Sequence, residues 1–379
     1  MADLESNSQD TDLKSFGKYV NDLTEKYSRK KSLAEKNRSV FGNWPDESDF
    51  AILDSSLKKN TAFVKKIRGF NENKQKENIL REVHTLNLTK YIGEISSALF
   101  EAKLKLAELP FLLEFVSQVH QKYFEFHKTF YVGWKKYLPT WKDNSEPSNY
   151  IRYRTDLIIF AELTSIHIFE ENDGLKLLSA QLSCLINSDK ANLAHISVVN
   201  QFCKYCGDDW AGLIPYPFKK ISEETGRSIP QSDFLPPDKQ TKLKGLLLEY
   251  YSCVCQRLHE LVKTAKHLTK VNKKQFENRG ELREENKLRA EQLSLDCRKL
   301  HESFQALSEV LGEEPPQSLD EILKDLEQTE EDLDEALVQE NDQTDTLNTL
   351  LFDDEETRQF YESLPDIKLM VPAVCFLHL

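Results

Sequence analysis

The chain reads as all-α: an α-solenoid of stacked helix pairs, armadillo/HEAT-like, with long flanking helices and an acidic C-terminal helical segment. Three observations predict this. Apolar residues recur every three or four positions through most of the 379 residues, the spacing that puts one stripe on a helix. No strand-length segment alternates apolar and polar residues convincingly. Only 12 glycines accompany 30% charged and 39% apolar residues, which suits solvated helices around a sizeable core. No fixed sequence period is present, so the solenoid follows from helix order and short links.

Residues 1–10 are polar and acidic and read as disordered. From 11 to 38, Leu13, Phe16, Tyr19, Val20, Leu23 and Tyr27 lie on one helical stripe, which Gly42, Asn43 and Pro45 end. Ser48 and Asp49 read as N-caps of a helix carrying Phe50, Leu53, Leu57 and Val64. After a polar stretch at 71–78, a stripe runs through Leu88, Ile92, Ile95, Leu99, Ala102, Leu106 and Leu109. Pro110 fits the first turn of the next helix, with Leu113, Val116, His120, Tyr123 and Phe126. Residues 139–149 read as a loop.

Residues 155–169, TDLIIFAELTSIHIF, are apolar almost all round, which predicts a middle-layer helix covered on both faces. Leu175, Leu178, Leu182 and Leu185 mark another helix, and the next spans 192–206. Residues 207–237, with Gly207, Gly212 and five prolines, read as a long connection. Residues 238–277 form one long amphipathic pattern, stopped by Arg279-Gly280. A second long stripe, Leu293 to Leu311, is expected to pair with it antiparallel or to pack along the repeats. Ser318-Leu-Asp-Glu321 is a capping-box signature for a last, acidic helix through Leu337. These breaks suggest a polar tail and helix (1–45), a helical-repeat middle domain (46–311) and an acidic linker and helix (312–379).

The net charge of −13 is uneven: residues 309–362 carry −18, and the remainder +5. A mild basic excess supports phosphate contacts only where it clusters; otherwise it is a solvated surface. The seven cysteines and the lack of an apolar leader point to a reducing, cytoplasmic or nuclear setting. No run approaches ~18 apolar residues, so no membrane span is expected.

Cys203-Lys-Tyr-Cys206 has the spacing of a zinc or redox pair. The nearest second pair, Cys253 and Cys255, is two residues apart and so diverges on a helix. Val199, Cys203 and Cys206 share one stripe, which predicts buried packing thiols. Asp208-Asp209 reads as a cap or an ion pair within the stack. His120, His167 and His195 fall in helical patterns and read as structural. No phosphate-binding glycine loop and no nucleophile elbow occur, so no enzyme, cofactor, metal or small-molecule substrate is expected. What remains is a basic helix face, Lys58, Lys59, Lys65, Lys66 and Arg68, with Lys135 and Lys136 after Trp134: a possible RNA or partner surface, weak and non-specific toward RNA.

Several stretches carry a resemblance: LDSSLKKNTAFVKK (53–66), LTKYIGE (88–94), EAKLK (101–105), VGWKKY (132–137), RTDLIIFAEL (154–163), VVNQFCKYCGDDWAGL (198–213) and DEETRQFYESLPDIK (354–368). Over residues 50–376 the chain resembles the family named after the middle domain of eukaryotic initiation factor 4-gamma, in the branch that scaffolds nonsense-mediated mRNA decay. The resemblance implies a non-catalytic adaptor that bridges the decay helicase and exon-junction components on mRNA. The alternative is a translation-initiation or cap-binding adaptor of the same fold. Relatives continue beyond VPAVCFLHL (371–379) into two further repeat domains, whose partner contacts no residue here matches. The chain therefore reads as a first-domain-only form, unable to bridge those partners.

Overall fold

The computed structural model describes residues 2–69, 76–102, 104–141, 149–170, 172–279, 283–314 and 324. The expected acidic helix at 318–337 and the end at 371–379 lie outside the described residues. Among those described, twelve α-helices follow one another and no strand occurs. The chain divides into two compact units, Met1–Leu258 with Lys299–Pro315, and His259–Arg298 with Pro316–Leu379.

In the first unit, α1 (Ala2–Val40) begins well before the expected position near residue 11. No proline or glycine in the sequence of its first turns breaks a helix. Two layers of repeat helices follow. One holds α2 (Leu57–Arg68), α4 (Ile92–Glu101) and α6 (Phe124–Tyr137); the other holds α3 (Lys76–Thr85), α5 (Leu109–Lys122), α7 (Tyr150–Ser165) and α9 (Ile196–Ala211). Within each layer a helix packs on the next but one, and α2 on α3, α5 on α6, and α7 on α8 (Asp173–Asp189) close the layers together. As expected, α7 is the middle: every residue from Asp156 to Ser165 is buried. Removing a wholly buried ring such as Phe160 should cost about 3–5 kcal/mol.

Several boundaries differ from the sequence reading. Ser48 and Asp49 sit in a 3₁₀ turn, Glu47–Phe50, and α2 instead starts after Ser56, whose N–H donates to Asp54 Oδ1 (2.9 Å). The stripe from Leu88 to Leu109 is broken at Ala102, which is extended. Tyr123, also extended, separates α5 from α6; its hydroxyl donates to Leu86 O and accepts from Leu88 N–H, which anchors the chain leaving α3. Two short helices are unexpected, one between the polar stretch at 71–78 and the Leu88 stripe, the other in the stretch read as a long connection. They are α3, held by Ile79 and Val83, and α10 (Tyr216–Thr225), whose Pro217 sits in its first turn.

The long helices α11 (Pro237–Arg279) and α12 (Glu284–Leu311) run antiparallel. In the first unit the Tyr251 ring stacks on Phe304 at 4.9 Å, and Ser308 Oγ donates to the Tyr251 hydroxyl. In the second unit Asn272 Nδ2 donates to Asn286 O. After α12, Gly312 has φ +73° and lies so close to the Ile214 carbonyl that a Cβ would stand 2.5 Å from it, so only glycine fits. Lys219 Nζ donates to the Gly312 carbonyl and fastens this end.

Candidate functional site

The basic face expected on α2 exists, but most of its charge is spent locally. Lys59 Nζ lies 2.5 Å from Asp54 Oδ2, Lys66 Nζ 2.5 Å from Glu82 Oε1, and Arg68 Nε 2.9 Å from Glu101 Oε2. The Lys59 ammonium and the Ser56 N–H hold the Asp54 carboxyl below its ordinary pKa. Lys58 and Lys65, one heptad apart, are exposed and unpaired among the described residues. They flank the exposed Leu57. On α6, Lys135 and Lys136 are exposed beside the buried Trp134.

The other charged constellation was only half visible in sequence. α1 lies as a strap across the second layer, and each step of the strap has a different partner. The Tyr19 ring stacks on Phe218 of α10 at 4.0 Å. Lys26 Nζ bonds both oxygens of Asp208 on α9, at 2.8 and 2.7 Å. Lys30 Nζ lies 2.6 Å from Glu162 Oε2 on α7 and also contacts Asp209 Oδ2 on α9. Asn37 Nδ2 donates to Ile166 O, and its carbonyl oxygen accepts from Ser117 and Gln121 on α5. Beyond the helix, Trp44 Nε1 donates to His120 O, and its ring stacks on His127.

Of the two readings of Asp208-Asp209, the ion pair holds: both carboxylates face α1 rather than capping the next helix. Burial works against the charged form of Asp209, but Lys30 and Lys26 hold its pKa below the usual carboxylate range. Ser232 Oγ donates to its other oxygen at 2.6 Å. Burial likewise opposes the charge on Lys30, and Glu162 with Asp209 outweighs it. Sequence reasoning missed Lys26 and Lys30. A signal was there: steps of seven from Phe16 and Leu23 land on Lys30 and Asn37, polar residues on the buried stripe.

Cys203 and Cys206 are buried free thiols. Burial pushes the Cys203 thiol up to about 12, and burial with the nearby Glu162 raises Cys206 well above the ordinary value. Neither is a nucleophile near neutral pH. Among the described residues no three His, Cys, Asp or Glu side chains are grouped to hold a metal ion. His120 is wholly buried among Phe41, Trp44 and His127, and burial lowers its pKa to about 4. His167 has φ +55° and accepts from Arg38, while the His195 ring stacks on Tyr150. No described helix is long and apolar enough to cross a membrane.

No protein-family model matches the chain. It is 36% identical over 93% of its length to mouse regulator of nonsense transcripts 2, and 35% identical to the human protein over the same share. It spans about a quarter of those relatives, 27% of each. A plant relative, regulator of nonsense transcripts UPF2 of Arabidopsis thaliana, is 26% identical. Among solved structures, the first MIF4G domain of human nonsense mediated decay factor UPF2 superposes with a TM-score of 0.74 at 33% identity, over 81% of this chain and 99% of that one. The N-terminal mIF4G domain of Saccharomyces cerevisiae Upf2, at 20% identity and a TM-score of 0.61, shares the fold. The chain belongs to the regulator of nonsense transcripts 2 (UPF2) family, which it matches through the first MIF4G domain.

Proposed function

We propose that the chain serves nonsense-mediated mRNA decay as a non-catalytic scaffold in the cytoplasm. Its role is to hold components of the decay machinery, the decay helicase and exon-junction proteins among them, against one another on mRNA. The observation that carries this reading is the match to the human first MIF4G domain over nearly the whole of that domain. The chemistry of the interior agrees: Cys203, Cys206, Asp209 and His120, the side chains best suited to catalysis, are buried and taken up in packing or ion pairs. The surfaces left for partners are helix faces, and the α2 face with Lys58 and Lys65 is one of them.

The test is a domain exchange. In cells depleted of regulator of nonsense transcripts 2, the human protein is supplied with this chain in place of its first MIF4G domain. The half-life of a reporter mRNA with a premature stop codon should fall to that given by the unaltered human protein. A chimera that is expressed and folded yet leaves the reporter stable would overturn the reading. If purification of the chain recovered initiation or cap-binding factors in place of decay factors, the translation-initiation alternative would take over.

A further inference from the structure

We infer that the solvent face of α11 in the second unit, the ridge formed by Lys263, His267, Lys270 and Lys274, is a binding site for the phosphate backbone of single-stranded RNA. This site goes beyond the decay role and does not rest on it.

The ridge follows from the helix pattern. In a chain of net charge −13, α11 carries ten lysines and arginines against four acids. Within the second unit, Val262, Ala265, Thr269 and Asn272 are buried on one side of the helix. Lys263, His267, Lys270 and Lys274 are all exposed on the opposite side. At 100° per residue they fall within an arc of about 60°, and eleven residues of rise spread them along about 16 Å. They thus form a straight file of three lysines and a histidine roughly one helical turn apart, comparable with successive steps of a nucleotide backbone.

Two further observations select the ligand. None of the four has a hydrogen-bond or ion-pair partner among the described residues, whereas Lys59, Lys66 and Arg68 of the α2 face are all paired. Binding a polyanion on all four α11 positions therefore breaks no existing pair, while on α2 only Lys58 and Lys65 are free to bind without breaking one. None of the large exposed apolar side chains lies on α11. Protein interfaces are anchored by apolar and aromatic side chains at their centre, and this ridge offers none. A phosphate backbone needs only the charges. With no exposed aromatic on the ridge there is no platform for base stacking, so recognition is indifferent to sequence.

The experiment measures fluorescence anisotropy of labelled oligouridine with the full chain, between about 50 and 200 mM salt. Three phosphate contacts to a single strand predict a log–log salt slope near −2 from this ridge, at roughly 0.7 per contact. The variant K263E/K270E/K274E should bind at least about tenfold more weakly at the lowest salt and lose that part of the slope. K58E/K65E on α2 should change affinity less than about twofold. The alanine triple at the same positions, which favours the helix, should lose the same slope and guards against a folding defect in the glutamate variant. The inference fails if the wild-type chain does not bind oligouridine, if the α11 variants bind as the wild type does, or if the α2 variant loses as much. Poly-glutamate bound at the ridge in the absence of RNA binding would assign the surface to an acidic protein and also overturn it.

Discussion

Lysines meet carboxylates on α1 and on α2, and the two meetings differ in kind. On α1 the Lys30 side chain is 9% exposed and its partners Glu162 and Asp209 are 5% and 2% exposed. On α2 the Lys59 side chain is 65% exposed and Asp54 36%. The charges are the same, but water is not. Around Lys59 it screens the pair and solvates either member once the other is gone. Around Lys30 it is excluded, so each charge depends on the others. The buried group spans α1, α7 and α9 and therefore fixes where the strap lies. The exposed pairs link α2 to its neighbours and fix little.

The largest expected effect breaks the buried side of this comparison. Lys30→Ala leaves Glu162 and Asp209 facing each other out of water and should cost about 3–5 kcal/mol in urea denaturation. Lys59→Ala, whose pair lies in water, should cost far less. Joining Lys30→Met with Glu162→Gln should recover much of the loss, because the Glu162 charge goes with its partner while Asp209 keeps Lys26 and Ser232. Equal losses for Lys30→Ala and Lys59→Ala would show that burial does not set the difference.

A second effect adds pH to the same contrast. His120 is buried where α1's exit packs on α5, and its pKa is lowered to about 4 from an ordinary 6.5. A depressed base is neutral in the folded state while the unfolded chain takes up a proton. Its contribution is therefore intact above about pH 6.5 and is lost as pH falls toward 4, on the order of 3 kcal/mol in all. His127 and His167 are also lowered and act in the same sense, while Asp156, raised to about 6, opposes them below that pH. Comparing melting curves of the wild type and His120→Phe between pH 7 and 4 isolates the His120 share: the variant should lose less stability on acidification. Parallel pH profiles would remove His120 from the account.

Much of this fold is legible in the sequence because its helices are long and their stripes strong. α7 shows itself by being apolar all round, and α11 and α12 by stripes sustained over many turns. The breaks at Ala102 and Tyr123 are harder to see, since a single extended residue barely disturbs the apolar rhythm on either side. α3 and α10 are short, and the prolines that open α10 also read as breakers. The site is less legible for a different reason. Lys30 and Asp209 are separated by 179 positions, and only the tertiary fold brings them together. Likewise, the sequence shows that Lys58, Lys59, Lys65, Lys66 and Arg68 share a helix, but not that three of them are already paired. The charges of α11 were equally plain in composition, yet which of them stand unpaired on one ridge depends on what α12 covers.

A smaller effect removes packing in place of charge. Cys203 is buried on α9, one turn before Cys206. Cys203→Ala should cost about 1–2 kcal/mol through the small cavity left behind. The cost should not change with salt, unlike that of any exposed ion pair. Stoichiometric zinc in the purified protein would instead give the two cysteines a ligand role.

The smallest effect lies within the α2 pair itself. Asp54 does two things: its Oδ1 accepts from the Ser56 N–H, setting the turn into α2, and its Oδ2 meets Lys59. Lys59→Ala removes only the second, a weak, screened contact, and the small loss should fade in high salt. Asp54→Asn keeps an acceptor oxygen for the turn and should behave like Lys59→Ala. Asp54→Ala removes both contacts and should cost measurably more, since it also leaves the helix start unsupported. The excess should persist at high salt, because a turn hydrogen bond is local and is not screened. If Asp54→Ala and Asp54→Asn matched at every salt concentration, the exposed pair, and not the turn, would be what holds the start of α2.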